Sequence, residues 1–168
     1  RKTAQAKELR LQADQFHLIA DWHCFAILSL LETAGAKSKP AWIAQRLGIS
    51  AAAAEGAMER MARLGLLEEG KTGYRLTGQS FTTSDEIASS AIKKNHSQLL
   101  ELAKASLERD PLEMRDLLST TLAIDPAKLP EAKALMGDFR EKLSNFLRSG
   151  KKQEVYSLQL QLILLSRK

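Results

Sequence analysis

Apolar positions between Pro40 and Thr77 recur first at helical spacing and then at strand spacing. Pro40 suits the first turn of a helix, where its missing N–H would have no partner anyway. Ile43, Ala44 and Leu47 then mark one face of a short amphipathic helix. Gly48 stands where a left-handed C-cap belongs, and Ser50 suits the N-cap of a second helix. Ala54, Ala57, Met58, Met61 and Leu64 line the inner face of that second helix. Gly65 ends it, Leu66 to Glu68 begins a strand, and Gly70 to Gly73 turns the chain back into Tyr74 to Thr77. The predicted order is helix, turn, helix, hairpin, which is that of a winged helix-turn-helix. Such a unit serves DNA contact in some proteins and protein contact in others, so the pattern alone leaves both open.

The flanks extend the pattern. Arg1 to Arg10, with Ala4, Ala6, Leu9 and Leu11, reads as the end of a linker helix from an upstream domain. Asp14 to Thr33 is apolar nearly all round and predicts one central helix, buried on most sides, as the first helix of the winged fold. Gly35 and Lys37 to Lys39 form the loop after it. Thr82 to Glu86 is a helix start in which Ser84 caps and Asp85 and Glu86 meet the positive end of the dipole. That helix runs to about Arg109, with Ile87, Ala91, Ile92, Leu99, Leu102, Ala103 and Leu107 on its apolar side. Asp110-Pro111 breaks it, and Leu112 to Asp116 adds one further turn.

Leu118 to Ile124 alternates and is rich in strand formers until Pro126 stops it. Leu129 to Leu147 predicts an amphipathic helix with Leu129, Ala132, Leu135, Met136, Phe139, Leu143 and Phe146 on one stripe. Val155 to Leu165 alternates again, placing Tyr156, Leu158, Leu160, Leu162 and Leu164 on one face. Strand, helix and strand make a βαβ unit with parallel neighbours. Two strands alone are marginal, so another segment or a second subunit must complete the sheet, and a homodimer is expected. The fold class is therefore α+β, mostly helical: a winged helix-turn-helix, a long helix and a C-terminal βαβ unit. Residues 1–80 and 81–168 form the two predicted domains.

Composition narrows the class. With 168 residues, 44% hydrophobic and 27% charged, the chain is that of a soluble globular protein with apolar material for a core. No apolar run reaches bilayer-spanning length, no stretch resembles a signal peptide, and the single cysteine, Cys24, suits a reducing cytoplasm. The net charge of +5 is uneven: residues 1–35 balance, 36–80 carry +3, 81–116 carry −2 and 117–168 carry +4.

Candidate chemistry is sparse. Arg60 and Arg63, late on the second helix, join Arg46, Lys71 and Arg75 as candidate phosphate contacts that position a duplex without reading it. The first turn of that helix is Ala51 to Ala54, followed by Glu55 and Glu59, where base-reading side chains would be needed. The bland alternative is a solvated surface with these arginines paired to Glu55 and Glu59. His17 and Asp21 share a helical face, but no further Cys or His closes a metal site, so packed or interface histidines are expected and no metal. His96 interrupts an apolar stripe and is expected to be buried and hydrogen-bonded. No phosphate loop and no nucleophile elbow is present; Gly70 to Gly73 is a hairpin turn. No catalytic residue and no cofactor is expected. Ser157, Gln159 and Gln161 are exposed strand polars on this reading rather than a ligand pocket.

The order of motifs also resembles a known family. Ala13-Asp14-Gln15-Phe16 with Asp21-Trp22-His23, the IAQRLGIS turn, LGLLEE, TTSDEIASSAIKKNH and the closing VYSLQLQLILLSRK carry the resemblance. They are similar to a paralogous family of proteins classed as bacterial transcriptional regulators, built around a C-terminal domain of unknown function and expanded in predatory bacteria. Members usually carry a further N-terminal helix-turn-helix of the phage-repressor kind, so this chain is expected to be the part that follows it. The resemblance implies a regulator and supplies no catalytic residues.

Two functions follow as expectations. One is a cytoplasmic transcriptional regulator whose winged helix touches double-stranded DNA while the C-terminal unit dimerises or senses. The other is a dimerisation or protein-interaction module whose winged helix has no DNA contact. No membrane partner is expected, and no effector is named by the sequence.

Overall fold

The apolar run from Asp14 to Thr33 belongs to two helices rather than one: α1 spans Lys2–Ala20 and α2 spans Trp22–Leu31. The structure, a computed structural model, describes residues 2–81 and 84–167, without the side chains of Lys2 and Glu86. Asp21 sits between the two helices in extended backbone, with φ −90 and ψ 109. The break is held from outside: the Trp22 N–H, which opens α2, donates to Gln98 Oε1 at 2.9 Å. No glycine or proline marks the site, which is why the sequence reads as continuous. Residues 3–13 of α1 are exposed; only from Asp14 onward does α1 enter the core.

Helix α3 spans Pro40–Leu47 and α4 spans Ala51–Arg63. Gly48 adopts φ 67, the left-handed cap expected of it, and the Ser50 side chain accepts from the Ala53 N–H at 3.1 Å. Ser50→Ala removes that acceptor; a loss of about 1 kcal/mol in chemical denaturation is the expected result. Strands β1 (Leu67–Gly70) and β2 (Gly73–Leu76) pair antiparallel, Leu67 opposite Leu76 and Gly70 opposite Gly73, around the turn Lys71-Thr72. Gly73 has φ 123, and its bare Cα lies against Ser38 in the loop after α2. A Cβ there would collide with Ser38 Oγ, so glycine is what lets this loop and the hairpin touch.

The core is built from Leu18 of α1, Cys24, Ile27 and Leu30 of α2, Ile43 and Ala44 of α3, Ala54, Ala57, Met58 and Met61 of α4, and Leu66 and Leu67. Helix α5 spans Asp85–Arg109 and packs chiefly on α1, burying Ala91 completely. Its expected start lies partly outside the described residues, which omit Thr82 and Thr83. Ser84 occupies the N-cap position but makes no side-chain cap bond. His96, expected to be buried, is exposed, because α5 turns only a narrow stripe toward α1. Leu112–Met114 forms the extra turn as a short 3-10 helix, a second such turn covers Pro126–Lys128, and α6 spans Leu129–Leu147.

The expected βαβ unit is not formed. Among the described residues, residues 116–124 and 151–167 lie in no strand, and β1 and β2 are the whole sheet. Both segments keep the alternation of a strand, but a ladder needs a row of backbone partners, and among the described residues the one backbone–backbone bond to either segment is that from the Ala34 N–H to the Lys152 carbonyl. The fold is thus α+β and mostly helical, with one small antiparallel hairpin.

Candidate nucleic-acid interface

Three of the five residues singled out from the sequence are held in partly covered interactions. Arg63 forms a bidentate pair with Asp14, Nε to Oδ2 at 2.7 Å and Nη2 to Oδ1 at 2.9 Å, and its Nη1 lies 4.0 Å from Glu59. Arg60 lies beside the same carboxylate: its Nε is 3.7 Å from Asp14 Oδ1, its Nη1 is 3.9 Å from Asp21 Oδ2, and the Cys24 thiol lies 3.9 Å from Nη1. Among the described residues, Arg60 Nε is the one buried side-chain nitrogen or oxygen without a hydrogen-bond partner. Arg46 stacks over the Trp42 ring and pairs with Glu154 at 2.7 Å, also donating to the Gln153 carbonyl. It tethers the C-terminal segment to α3.

The hydrogen bonds from Arg63 hold the Asp14 carboxyl below its ordinary range against the opposing effect of burial. Asp21 is pushed up by burial, but the Lys94 ammonium at 3.3 Å and His17 Nδ1 at 3.0 Å outweigh this and leave it lowered. Asp14 and Asp21 thereby join α1, α4 and α5 in one charged seam. Burial lowers His23 and pushes the Cys24 thiol up to about 11, so that thiol stays protonated at neutral pH. His17 and Asp21 do meet, as their spacing suggested, in a hydrogen bond. Among the described residues no group of three His, Cys, Asp or Glu side chains is placed to hold a metal ion.

The other two candidates lie on the hairpin. Arg75 is 71% exposed and pairs across the strands with Glu68 at 2.8 Å, a surface pair that solvent screens. Lys71 is exposed at the turn, and no ion pair holds it among the described residues. Its neighbour Thr72 lines a shallow cleft together with Lys37, Ser38 and Lys39 of the preceding loop and Tyr74 of β2. Both loop lysines are exposed, and no carboxylate lines the cleft. Lys37 and Lys39 are the residues that sequence reasoning passed over. Their signal was the Lys-Ser-Lys run just before Pro40, but only the contact between Ser38 and Gly73 brings it to the hairpin.

The outward face of α4 has the opposite character. Ala51, Ala52, Glu55 and Glu59 are exposed there, while Ala54, Ala57, Met58 and Met61 point into the core.

These features define a mostly helical chain with a cationic edge of loop and hairpin, and no helix among the described residues is long and apolar enough to cross a membrane. The chain belongs to a family described as a domain of unknown function (DUF4423), whose sequence model matches residues 2–165. No curated protein and no solved structure matches it.

Proposed function

We propose that the chain is part of a cytoplasmic transcriptional regulator, in which residues 40–77 act as a winged helix-turn-helix that grips the phosphate backbone of double-stranded DNA without reading bases. The observation that carries this is the grouping of exposed Lys37 and Lys39, in the loop just before this unit, beside a cleft that no carboxylate lines, with Lys71 exposed at the adjoining hairpin turn. These three ammonium groups, which make no ion pair among the described residues, suit phosphate oxygens, which confer position and not sequence. The order of helix, turn, helix and hairpin and the resemblance to bacterial regulators support the same reading. Arg75 adds a fourth cation at the hairpin, since its surface pair with Glu68 is weak enough to exchange for phosphate. Arg60 and Arg63 act in this scheme as structural groups that hold α4 against α1.

A second reading, a protein contact through α4, is favoured by one observation. The small exposed residues Ala51 and Ala52, flanked by Glu55 and Glu59, offer a flat face that repels phosphate.

Fluorescence anisotropy with a random-sequence duplex, titrated with salt, separates the two. Three to four phosphate contacts give a log–log slope of about −3. Lys37→Ala, Lys39→Ala and Lys71→Ala combined should abolish binding with the melting temperature unchanged. Absence of binding by the folded chain at low salt sinks the DNA reading and favours the protein contact.

A further inference from the structure

The C-terminal third exposes what a folded chain normally buries. Of the exposed large hydrophobic residues among those described, six precede Pro111 and seventeen follow it. Helix α6 has no fully buried residue, and the short turn before it is the element it chiefly contacts. A folded monomer of 18.6 kDa exposes about 8,200 Å² by the scaling of area with mass. This chain exposes 13114 Å². The excess, roughly 4,900 Å², is several times the roughly 800 Å² per partner of a standard interface, and exposed residues 3–13 of α1 supply part of it.

Residues 155–165 concentrate the demand. The segment is tethered at its start: the Ala34 N–H donates to the Lys152 carbonyl, Lys152 pairs with Glu32, Arg46 pairs with Glu154, and Val155 packs on the core. Beyond it, Gln159 Nε2 donates to the Leu99 carbonyl on α5, while Ser157 and Gln161 on the same side stay exposed. The opposite side presents Tyr156, Leu158, Leu160, Leu162 and Leu164, every one of them 38% exposed or more. No backbone–backbone hydrogen bond is made by residues 153–167 among those described. A strand of this kind lacks both a ladder partner and a cover for its apolar face.

We propose that a second copy of this chain supplies both, by pairing residues 155–165 antiparallel with the same segment across a two-fold axis. Three observations select this occupant. The segment Val155 to Leu165 contains no charged residue, so placing it beside its own copy brings no like-charge repulsion. A two-fold axis midway between the two copies of one of its residues sets even-numbered positions opposite even-numbered ones, so the leucine face of one copy continues into that of the other. The excess area per chain is more than a dimer interface of standard size requires. The apolar stripe of α6, Leu135, Phe139 and Phe146 among it, is then available to cover the joined face, and Leu117 to Ile124, also uncharged, lies free to extend the sheet at its edges. The proposal is independent of the DNA reading.

Sedimentation equilibrium of the full chain at micromolar concentration tests it, with amide hydrogen exchange on the same sample. The expected result is a single species of twice the 18.6 kDa chain mass with residues 155–165 protected. Leu158→Lys, Leu160→Lys and Leu162→Lys combined should weaken association on the order of 1,000-fold, at about tenfold per leucine. That variant should keep the exchange protection of α2 and α4. A monomer, an open series of larger species, or a dimer whose 155–165 amides exchange freely would each overturn the proposal, and the exchange measurement does so without any variant.

Discussion

Asp14→Ala is expected to destabilise the chain by about 3 kcal/mol, because it removes the carboxylate that faces the guanidinium groups of both Arg60 and Arg63. The Asp14 side chain is 9% exposed, that of Arg60 19% and that of Arg63 34%. The loss is therefore nearer that of a buried pair than of a surface one, with the Arg63 contribution reduced by solvent. Arg60 Nε already lacks a hydrogen bond, so removing Asp14 leaves it a charge with only Asp21 nearby. At about 2–4 °C per kcal/mol for a chain of this size, the midpoint should fall by roughly 6–12 °C. Asp14→Asn keeps part of the hydrogen bonding and should lose about half as much. In a double-mutant cycle, Arg63→Ala should do little further harm once Asp14 is gone.

The same seam sets a dependence on pH. The folded-state pKa of Asp14 is depressed, and so is that of Asp21. Each contributes stability that is fully present above the ordinary carboxyl value of 3.8 and is lost as pH falls from there through the lower folded value. Thermal melts should therefore be level from pH 7 down to about 5 as far as these groups are concerned, and fall below pH 4. The Asp14→Asn chain should show a shallower fall. An identical acid profile in that variant would show that Asp14 contributes nothing through its charge.

Ile27→Ala is expected to lower stability by about 3 kcal/mol, and Ile27→Val by about 1 kcal/mol. Ile27 is 0% exposed on α2, the helix that touches α1, α3, α4, α5 and β2. A cavity there has walls from several elements, and each is anchored elsewhere, so little collapse can fill it. Phe25→Ala is the control. Two residues away on the same helix, Phe25 is 45% exposed, and its replacement should change the midpoint in urea by well under half as much. Equal losses at the two positions would mean that Phe25 is covered in solution.

Much of the first half was legible because its signals are local. Pro40, Gly48, Ser50 and Gly65 each act within one turn of the backbone, and the structure uses Gly48, Ser50 and Gly65 at the positions their conformational preferences dictate. The helices Asp85–Arg109 and Leu129–Leu147 were legible from their apolar periodicity and from Pro111 and Gly150 beyond their ends, although Ser84 makes no side-chain cap bond. The break at Asp21 was not legible, since its partners Lys94 and Gln98 lie more than seventy residues away. Nor was the fate of the arginines. Arg60 and Arg63 read as candidate phosphate contacts, or else as solvated cations paired along their own helix, and only the packing of α1 on α4 brings Asp14 to them.

The sequence by itself determined where helices begin and end around the hairpin, which faces of them are apolar, and that Leu118 to Ile124 and Val155 to Leu165 have the side-chain pattern of strands. Tertiary structure decided which charges are spent inside, which remain at the cationic edge of Lys37, Lys39 and Lys71, and that the two strand-like segments stay unpaired within one chain. The reason is physical: caps and periodicity are set within a few residues, whereas an ion pair or a strand ladder exists only where a distant segment arrives to complete it.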